Sequence, residues 1–294
     1  MKVLVIGAEG QLGTAICAAF SDTELYRADR DGSGIILDIR NHQAARDLIA
    51  GELRPDVVIN TAAAHHLAEC EEKPDWAFAV NAIAVKHLAA ASQTCGARLI
   101  HISTDYVFGQ GASRPLTETD PPGPLNVYGA SKLAGEYLIA ATCDDYCVVR
   151  TAALYGPAPC RAKGGENFVG RMLRLAATRG QVEAVTDEIT TPTYAVSLAR
   201  QIRVIAEKGK PGWYHATSRG ACSWYEFAQA IFEYAGLAVK VIPVKAKDLT
   251  STVRRPGYSV LENRYLQDQG LDIMPPWQDA LREHLATLGN REIQ

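Results

Sequence analysis

The sequence predicts an α/β protein: a Rossmann-like, doubly wound parallel sheet followed by a smaller C-terminal mixed α/β substrate domain. Three observations carry this reading. A G-x-x-G-x-x-G pattern at residues 7–13 lies between an apolar β-branched run and a proline-free helical stretch. Strand-like runs then alternate with segments of roughly 10 to 20 helix-compatible residues, a spacing that demands crossovers and therefore parallel pairing. Beyond Gly156 the character shifts, with Pro157, Pro159, Gly164 and Gly165 in close succession.

Each element follows from its local pattern. Met1 to Gly7 (MKVLVIG) reads as the first strand and Gln11 to Phe20 as the first helix. Next come a strand at Glu24 to Ala28, a short strand at Ile35 to Leu37, a helix over 41–53, a strand at Asp56 to Asn60, a helix over 75–94 and a strand at Arg98 to Ser103. A loop rich in Gly, Pro, Ser and Thr covers 109–125, and a helix over 126–141 leads into the strand Tyr146 to Arg150. The sheet is expected to end there. The division is 1–150 for dinucleotide binding and 151–294 mainly for substrate, with the chain crossing between the two. In the second part, helices are expected over 167–179, 193–208 and 224–234, and strands at GWYHAT (212–217) and KVIPV (240–244). This part should cover the carboxyl ends of the strands, where open α/β sheets bind ligands.

Composition narrows the function. Over 294 residues, 47% are hydrophobic and 21% charged, which suits a globular protein and excludes disorder and collagen. With 30 Lys plus Arg against 33 Asp plus Glu, the formal net charge is −3 and no basic block exists, so nucleic acid is not an expected partner. No apolar run nears the roughly 18 residues of a membrane span. The chain opens on a strand-like segment with no charged leader, so a soluble, cytoplasmic protein without membrane attachment is expected. The seven cysteines (17, 70, 95, 143, 147, 160 and 222) are scattered and form no C-x-x-C pair. Reduced, mostly buried thiols are expected, with neither disulfides nor zinc.

The glycine turn of Gly7, Gly10 and Gly13 lets backbone approach a pyrophosphate, while the N-terminus of the following helix favours negative charge. A merely tight turn is the plainer alternative, and the strand–turn–helix context decides for a dinucleotide. Asp29 follows about 20 residues later, at the end of the second strand, where a carboxylate accepts from the ribose hydroxyls of NAD. Arg30 beside it offers a guanidinium to a 2′-phosphate, so either NADH or NADPH is expected to serve, NADH modestly better. Asp38 and Ile39 are expected at the adenine edge, with capping of the next helix an equal alternative for Asp38.

Tyr128 and Lys132 form Y-x-x-x-K near the start of a helix, and an i, i+4 spacing places both on one face. An ammonium nearby stabilises a phenolate, which predicts a lowered Tyr128 pKa and a better proton donor and acceptor near neutrality. Ser103, Thr104 and Asp105 stand where the fifth strand ends, next to the expected nicotinamide. The adjacent His65 and His66 read as pocket-lining loop residues and not as metal ligands. Trp224, Tyr225 and Phe227, at helical spacing, read as core and helix anchors.

Together GAEGQLG (7–13), HISTDYVF (101–108), PLNVYGASKLAGE (124–136), ENF (166–168), TPT (191–193), SWYEFA (223–228) and RRPGYSVLEN (254–263) resemble the extended short-chain dehydrogenase/reductases across nearly the whole chain. That resemblance implies an NAD(P)H-dependent oxidoreductase reducing the C4 ketone of a 6-deoxy-4-keto nucleotide sugar. It implies Thr104, Tyr128 and Lys132 as the catalytic set and completes the cofactor site with Gln11, Leu12, Ala62, Ala63 and Ala64. Thr104, Asp105, Tyr106, Asn167 and Arg255 are the residues it implies for the substrate, Arg255 as a clasp on the diphosphate. A homodimer is left open.

Two departures bear on the sugar. Ala68 stands where the family pattern has aspartate, and Ala153 where it has tryptophan. Other outcomes share the same motifs: an epimerase or dehydratase, or a non-catalytic partner-binding subunit like the regulatory β subunit of methionine adenosyltransferase. The intact Thr104, Tyr128 and Lys132 set argues against the last.

Overall fold

In the computed structural model, residues 1–109, 111–160, 164–249 and 253–289 are described. The chain begins with β1 (Lys2–Ile6), turns through the glycines into α1 (Gln11–Ala19), and returns as β2 (Glu24–Asp29) and the short β3 (Ile35–Ile36). Then follow α2 (His42–Arg46), β4 (Val57–Asn60), α3 (Leu67–Glu72), α4 (Pro74–Phe78), α5 (Ala84–Cys95), β5 (Arg98–Thr104), α6 (Val127–Ala140) and β6 (Tyr146–Thr151). The later chain gives β7 (Leu154–Tyr155), α7 (Phe168–Thr178), β8 (Gln181–Val185), β9 (Ile189–Thr190), β10 (Thr193–Tyr194) and α8 (Ala195–Lys208). After these come β11 (Gly212–His215), β12 (Cys222–Ser223), α9 (Trp224–Tyr234), β13 (Lys240–Val244), α10 (Arg264–Asp268) and α11 (Trp277–Gly289).

Seven strands form one parallel sheet in the order β3-β2-β1-β4-β5-β6-β11. The sheet therefore does not end at residue 150, as the sequence reading has it. GWYH joins the far edge of β6 with Tyr214 opposite Val149, and α8 supplies the crossover. The physical reason is coverage: without this strand β6 would present an apolar, unpaired edge.

Strand alternation feeds two cores. Val3, Val5, Val57 and Ile59 point to the face covered by α1 and α8, and Leu4, Ile6 and Val58 to the face covered by α2 and α5. A third cluster joins α7, α9 and α11 over β8, with Tyr155, Tyr194, Phe227 and Trp277 at its centre. All seven cysteines are free, five of them buried. No helix among the described residues is long and apolar enough to cross a membrane.

Two long helices expected from sequence are interrupted. The first widens into a π-helix from Asp47 to Leu53. The second, over 75–94, is broken by a π-turn at Ala79–Ile83, a device that often re-aims a side chain near a functional site. Here it carries Asn81. The Asn81 Oδ1 accepts from the Ala64 amide, and its Nδ2 lies 2.9 Å from both the Ala64 carbonyl and the Ser131 Oγ. The loop after β4 is thereby tied to α6.

Helix α6 is fixed more firmly by charge. The Glu136 carboxylate, fully buried, takes the Arg150 guanidinium at 2.6 Å through Nη2 and at 3.0 Å through Nε, and accepts from Ser103 Oγ and Trp213 Nε1. Four elements meet at one carboxylate. Removing one partner of a buried pair strands the other, so Glu136→Ala is expected to destabilise the protein by about 3–5 kcal/mol in urea denaturation. A Glu136→Leu/Arg150→Met double variant should recover part of that loss.

Candidate active site

The strand order reverses between β1 and β4, and the carboxyl ends of the strands open there into a cleft of ≈ 670 Å³. Gly7, Gly10, Gln11 and Leu12 line its floor, and Asp29, Arg30, Asp31, Asp38, Ile39 and Arg40 line one end. Ala62, Ala63, Ala64, His65 and His66 form a wall after β4. Thr104, Asp105, Tyr106, Tyr128 and Lys132 also line it, Tyr128 packing beside Ala64. The cleft thus brings together every residue expected for catalysis and all those expected for the cofactor except Gly13.

Gly13 acts behind the surface. A Cβ there would overlap the Gly7 carbonyl, so the residue sets how closely α1 approaches the turn. Gly7 has φ +81°, and a Cβ on it would lie 2.5 Å from Thr61 Oγ1. The N-cap of α1 is Gly10, with no side-chain cap, which leaves the first helical N–H groups for a ligand oxygen. Asp29 is turned partly inward: Oδ2 accepts from the Glu9 amide at 3.0 Å, so it braces the glycine turn as well as lining the cleft. Asp38 does not cap α2, a task taken by Asn41, but holds Arg40 through Nε and Nη2. That hydrogen bonding keeps the Asp38 carboxyl below its ordinary value. Arg40, unremarked from sequence, is a second guanidinium beside Arg30.

Tyr128 lies beside Thr104, whose Oγ1 donates to Asp105 at 3.0 Å and accepts from the Tyr106 amide. The Tyr128 pKa is raised, not lowered as expected, because burial outweighs the opposing influence of Thr104 and Asp105 adds to the rise. Lys132 does not counter this. Its Nζ is directed to the Ile102 carbonyl at 2.6 Å and to His101 Nε2 at 2.9 Å, and burial lowers its pKa to about 7.

Other expectations shift. Asn167 does not line the cleft: it caps α7 and donates to the Gly156 carbonyl and Gln11 Oε1. Arg255 is also outside the lining, 3.8 Å from the rim residue Glu188. Trp224 is more than an anchor, since it lines the cleft while packing on Phe168; Phe227 is core as expected. Ala153 lines the cleft in left-handed backbone, φ +43°, whereas Ala68 lies on α3 outside the lining. His65 and His66 line the wall, His66 also capping α3. Among the described residues no group of three or more His, Cys, Asp or Glu is placed to hold a metal. Asn60, Asn81 and Glu188 gave no signal that sequence reasoning used.

Comparison with known proteins gives the relationship. A family profile described as RmlD substrate binding domain matches residues 1–290. The chain belongs to that family. It is 38% identical to the spore coat polysaccharide biosynthesis protein SpsK of Bacillus subtilis, over 97% of this chain and 96% of the relative. It is 37% identical to dTDP-4-dehydrorhamnose reductase of Streptomyces griseus, covering 98% and 94%. Among solved structures it resembles dTDP-4-dehydrorhamnose reductase of Bacillus anthracis in complex with NADP, with a TM-score of 0.91 and 36% identity over 98% and 100% of the two chains. The fold is that of the short-chain dehydrogenase/reductases.

In this RmlD-family chain Asp105 is the buried acid of the cleft. Burial lifts its pKa to about 6, against the opposing influence of Ser259 and Thr104. The folded state therefore holds the Asp105 proton more tightly than the unfolded chain does. Its contribution to stability declines as pH rises from about 4 through about 6. Asp105→Asn removes that decline. The stability difference between variant and wild type, read by urea denaturation, should shift in the variant's favour between pH 4.5 and 7.5; a constant difference would reject the assignment.

Proposed function

We propose that this chain is an NAD(P)H-dependent reductase acting on the C4 ketone of a 6-deoxy-4-keto nucleotide sugar, converting dTDP-4-dehydrorhamnose to dTDP-L-rhamnose. One observation carries the reading: a phenol on a lysine-bearing helix shares a single cleft with a glycine turn and an uncapped helix N-terminus. Full-length similarity to dTDP-4-dehydrorhamnose reductases supports it.

The residues fit a dinucleotide. A side chain on Gly7 would fill the floor of the turn, and α1 leaves its first N–H groups for a diphosphate. Ile39 and the Ala62–Ala64 wall suit an adenine and its ribose, and Asp29, Arg30 and Arg40 surround the expected position of the 2′ substituent. When bound, NADH or NADPH supplies the hydride.

The chain supplies the rest. The Tyr128 hydroxyl donates its proton to the ketone oxygen as negative charge develops there, and its raised pKa keeps it protonated beforehand. Thr104, beside Tyr128 in the cleft, orients that oxygen. Lys132 holds the cofactor ribose and, once charged, favours proton loss from the phenol. Asp105 and Tyr106 face the sugar, and Trp224 with Glu188 forms the rim through which the nucleotide passes. The division into a cofactor part over 1–150 and a mainly substrate part over 151–294 belongs to this proposal, with β11 returned to the sheet.

Consumption of one NAD(P)H per 4-keto sugar by the purified chain tests the reaction, and a redox-neutral product would instead indicate an epimerase or dehydratase. Tyr128→Phe should lower turnover at least ~10²-fold with cofactor affinity nearly unchanged; equal loss of both would remove Tyr128 from the proton-donor role. Cofactor choice is set by competing charges. Asp29→Ala should shift kcat/KM toward NADPH, and Arg30→Ala/Arg40→Ala toward NADH, as steady-state rates with each cofactor will measure.

A further inference from the structure

A buried row of nitrogens runs behind the cleft, and its hydrogens can be counted. The Ala62 amide donates to Asn60 Oδ1 at 3.1 Å, and a backbone amide cannot be turned round. Asn60 therefore presents its Nδ2 hydrogens to His101 Nδ1, 3.0 Å away. That nitrogen must accept. His101 is fully buried, and burial alone holds its pKa well below the ordinary value, so the ring is neutral with its one hydrogen on Nε2. Nε2 faces Lys132 Nζ at 2.9 Å.

An ammonium at Nζ would point a hydrogen at the Nε2 hydrogen. Relieving that clash by moving the ring proton to Nδ1 would set it against Asn60. Flipping the Asn60 amide would set its NH₂ against the Ala62 amide. Each arrangement leaves one buried donor facing another, at about 1–3 kcal/mol. A neutral amine meets every requirement: it accepts from His101 and donates to the Ile102 carbonyl.

We propose that Lys132 rests as a neutral amine accepting the His101 Nε2 hydrogen, and that it takes a proton from solvent on leaving this seat to hold a bound nicotinamide cofactor. His101 is then a positioning residue, with Asn60 setting its tautomer. The second half of the proposal rests on the reductase reading; the first does not.

The surroundings agree. On α6, Tyr128 is neutral and Glu136 favours the ammonium, but Glu136 is already engaged by Arg150 of β6, Ser103 and Trp213. At the end of β5, Asp105 is directed to Thr104 and Ser259. Burial is the dominant influence on Lys132 and depresses it to about 7.

Nitrogen-15 spectra of histidine-labelled protein without cofactor should give His101 as the Nε2–H tautomer at pH 8, and the Nδ1–H tautomer would overturn the proposal. In ¹³Cε-lysine spectra, the resonance lost in Lys132→Met should titrate near neutrality; a midpoint near 10 would overturn it. His101→Phe separates the hydrogen bond from burial. Burial alone keeps the Lys132 midpoint low or lowers it further, whereas loss of the donated hydrogen raises it by about one pH unit or more, a tenfold change. If that variant does not fold, the wild-type tautomer decides. Calorimetry of NADPH binding in buffers of different ionisation enthalpy should find proton uptake near zero at pH 6, approaching one at pH 8.5. Binding without uptake at pH 8.5 overturns the second half, while absence of binding with the expected spectra overturns the reductase reading and leaves the neutral seat standing.

Discussion

The buried pair between Glu136 and Arg150 is the constraint on which the arrangement of the cleft depends. Helix α6 touches the sheet along one face, and its first turns carry Tyr128 and Lys132. Propensity fixes neither its rotation nor its depth. A carboxylate with no access to water must find its guanidinium, and the guanidinium sits on β6 beneath the Phe108 ring. Ser103 adds a third fixed point from β5, one residue before Thr104. The Thr104 hydroxyl and the Tyr128 phenol are thus positioned by one network. A charge this deep is expensive to bury, and a hydrophobic substitute of equal volume would hold the helix equally well on average. What the ion pair adds is direction, because a bidentate fork accepts one approach.

The second constraint is topological. A doubly wound sheet leaves a crevice where its order reverses, and both ligands of a reductase must meet there. The glycine turn, the wall after β4 and the ends of β5 and β6 all come from the sheet. The opposite rim comes from Glu188, Trp224 and Ser259 in the later chain. Asp105 links the two, since it directly follows β5 yet lies beside Ser259. The cleft is therefore closed by contacts between segments far apart in sequence, with its most strongly perturbed carboxyl at the junction.

Period and punctuation made most of the framework readable from sequence. Apolar β-branched runs separated by helical spacing gave β1, β2, β4, β5 and β6 nearly to the residue. The glycine turn and Y-x-x-x-K were visible because chemistry there demands residue types at fixed spacing. Partnership was not visible. GWYH looks the same whether it pairs in a small sheet or at the edge of a large one, and only the exposed edge of β6 decides. Asn167 carries an amide suited to a ligand, and nothing in ENF says that Gln11 and Gly156 already occupy it. The expected Tyr128 pKa failed for a related reason: the i, i+4 rule places Lys132 on the same face but cannot say that its Nζ is turned toward His101. A π-turn such as that holding Asn81 has no periodic signature over a single turn.

The distribution of the thiols has a consequence of a different kind. Cys17 and Cys147 lie in the core under α1 and α8, Cys143 in the core on the opposite face, Cys222 among the aromatics of the later helices, and Cys70 beside Tyr128. Burial raises the pKa of all five, which keeps them unreactive while their surroundings stay closed. Each packing layer thus contains its own chemical clock. Alkylation at one sulfur records the opening of one layer, so the order in which the molecule comes apart is written in its native cysteines without introducing a label.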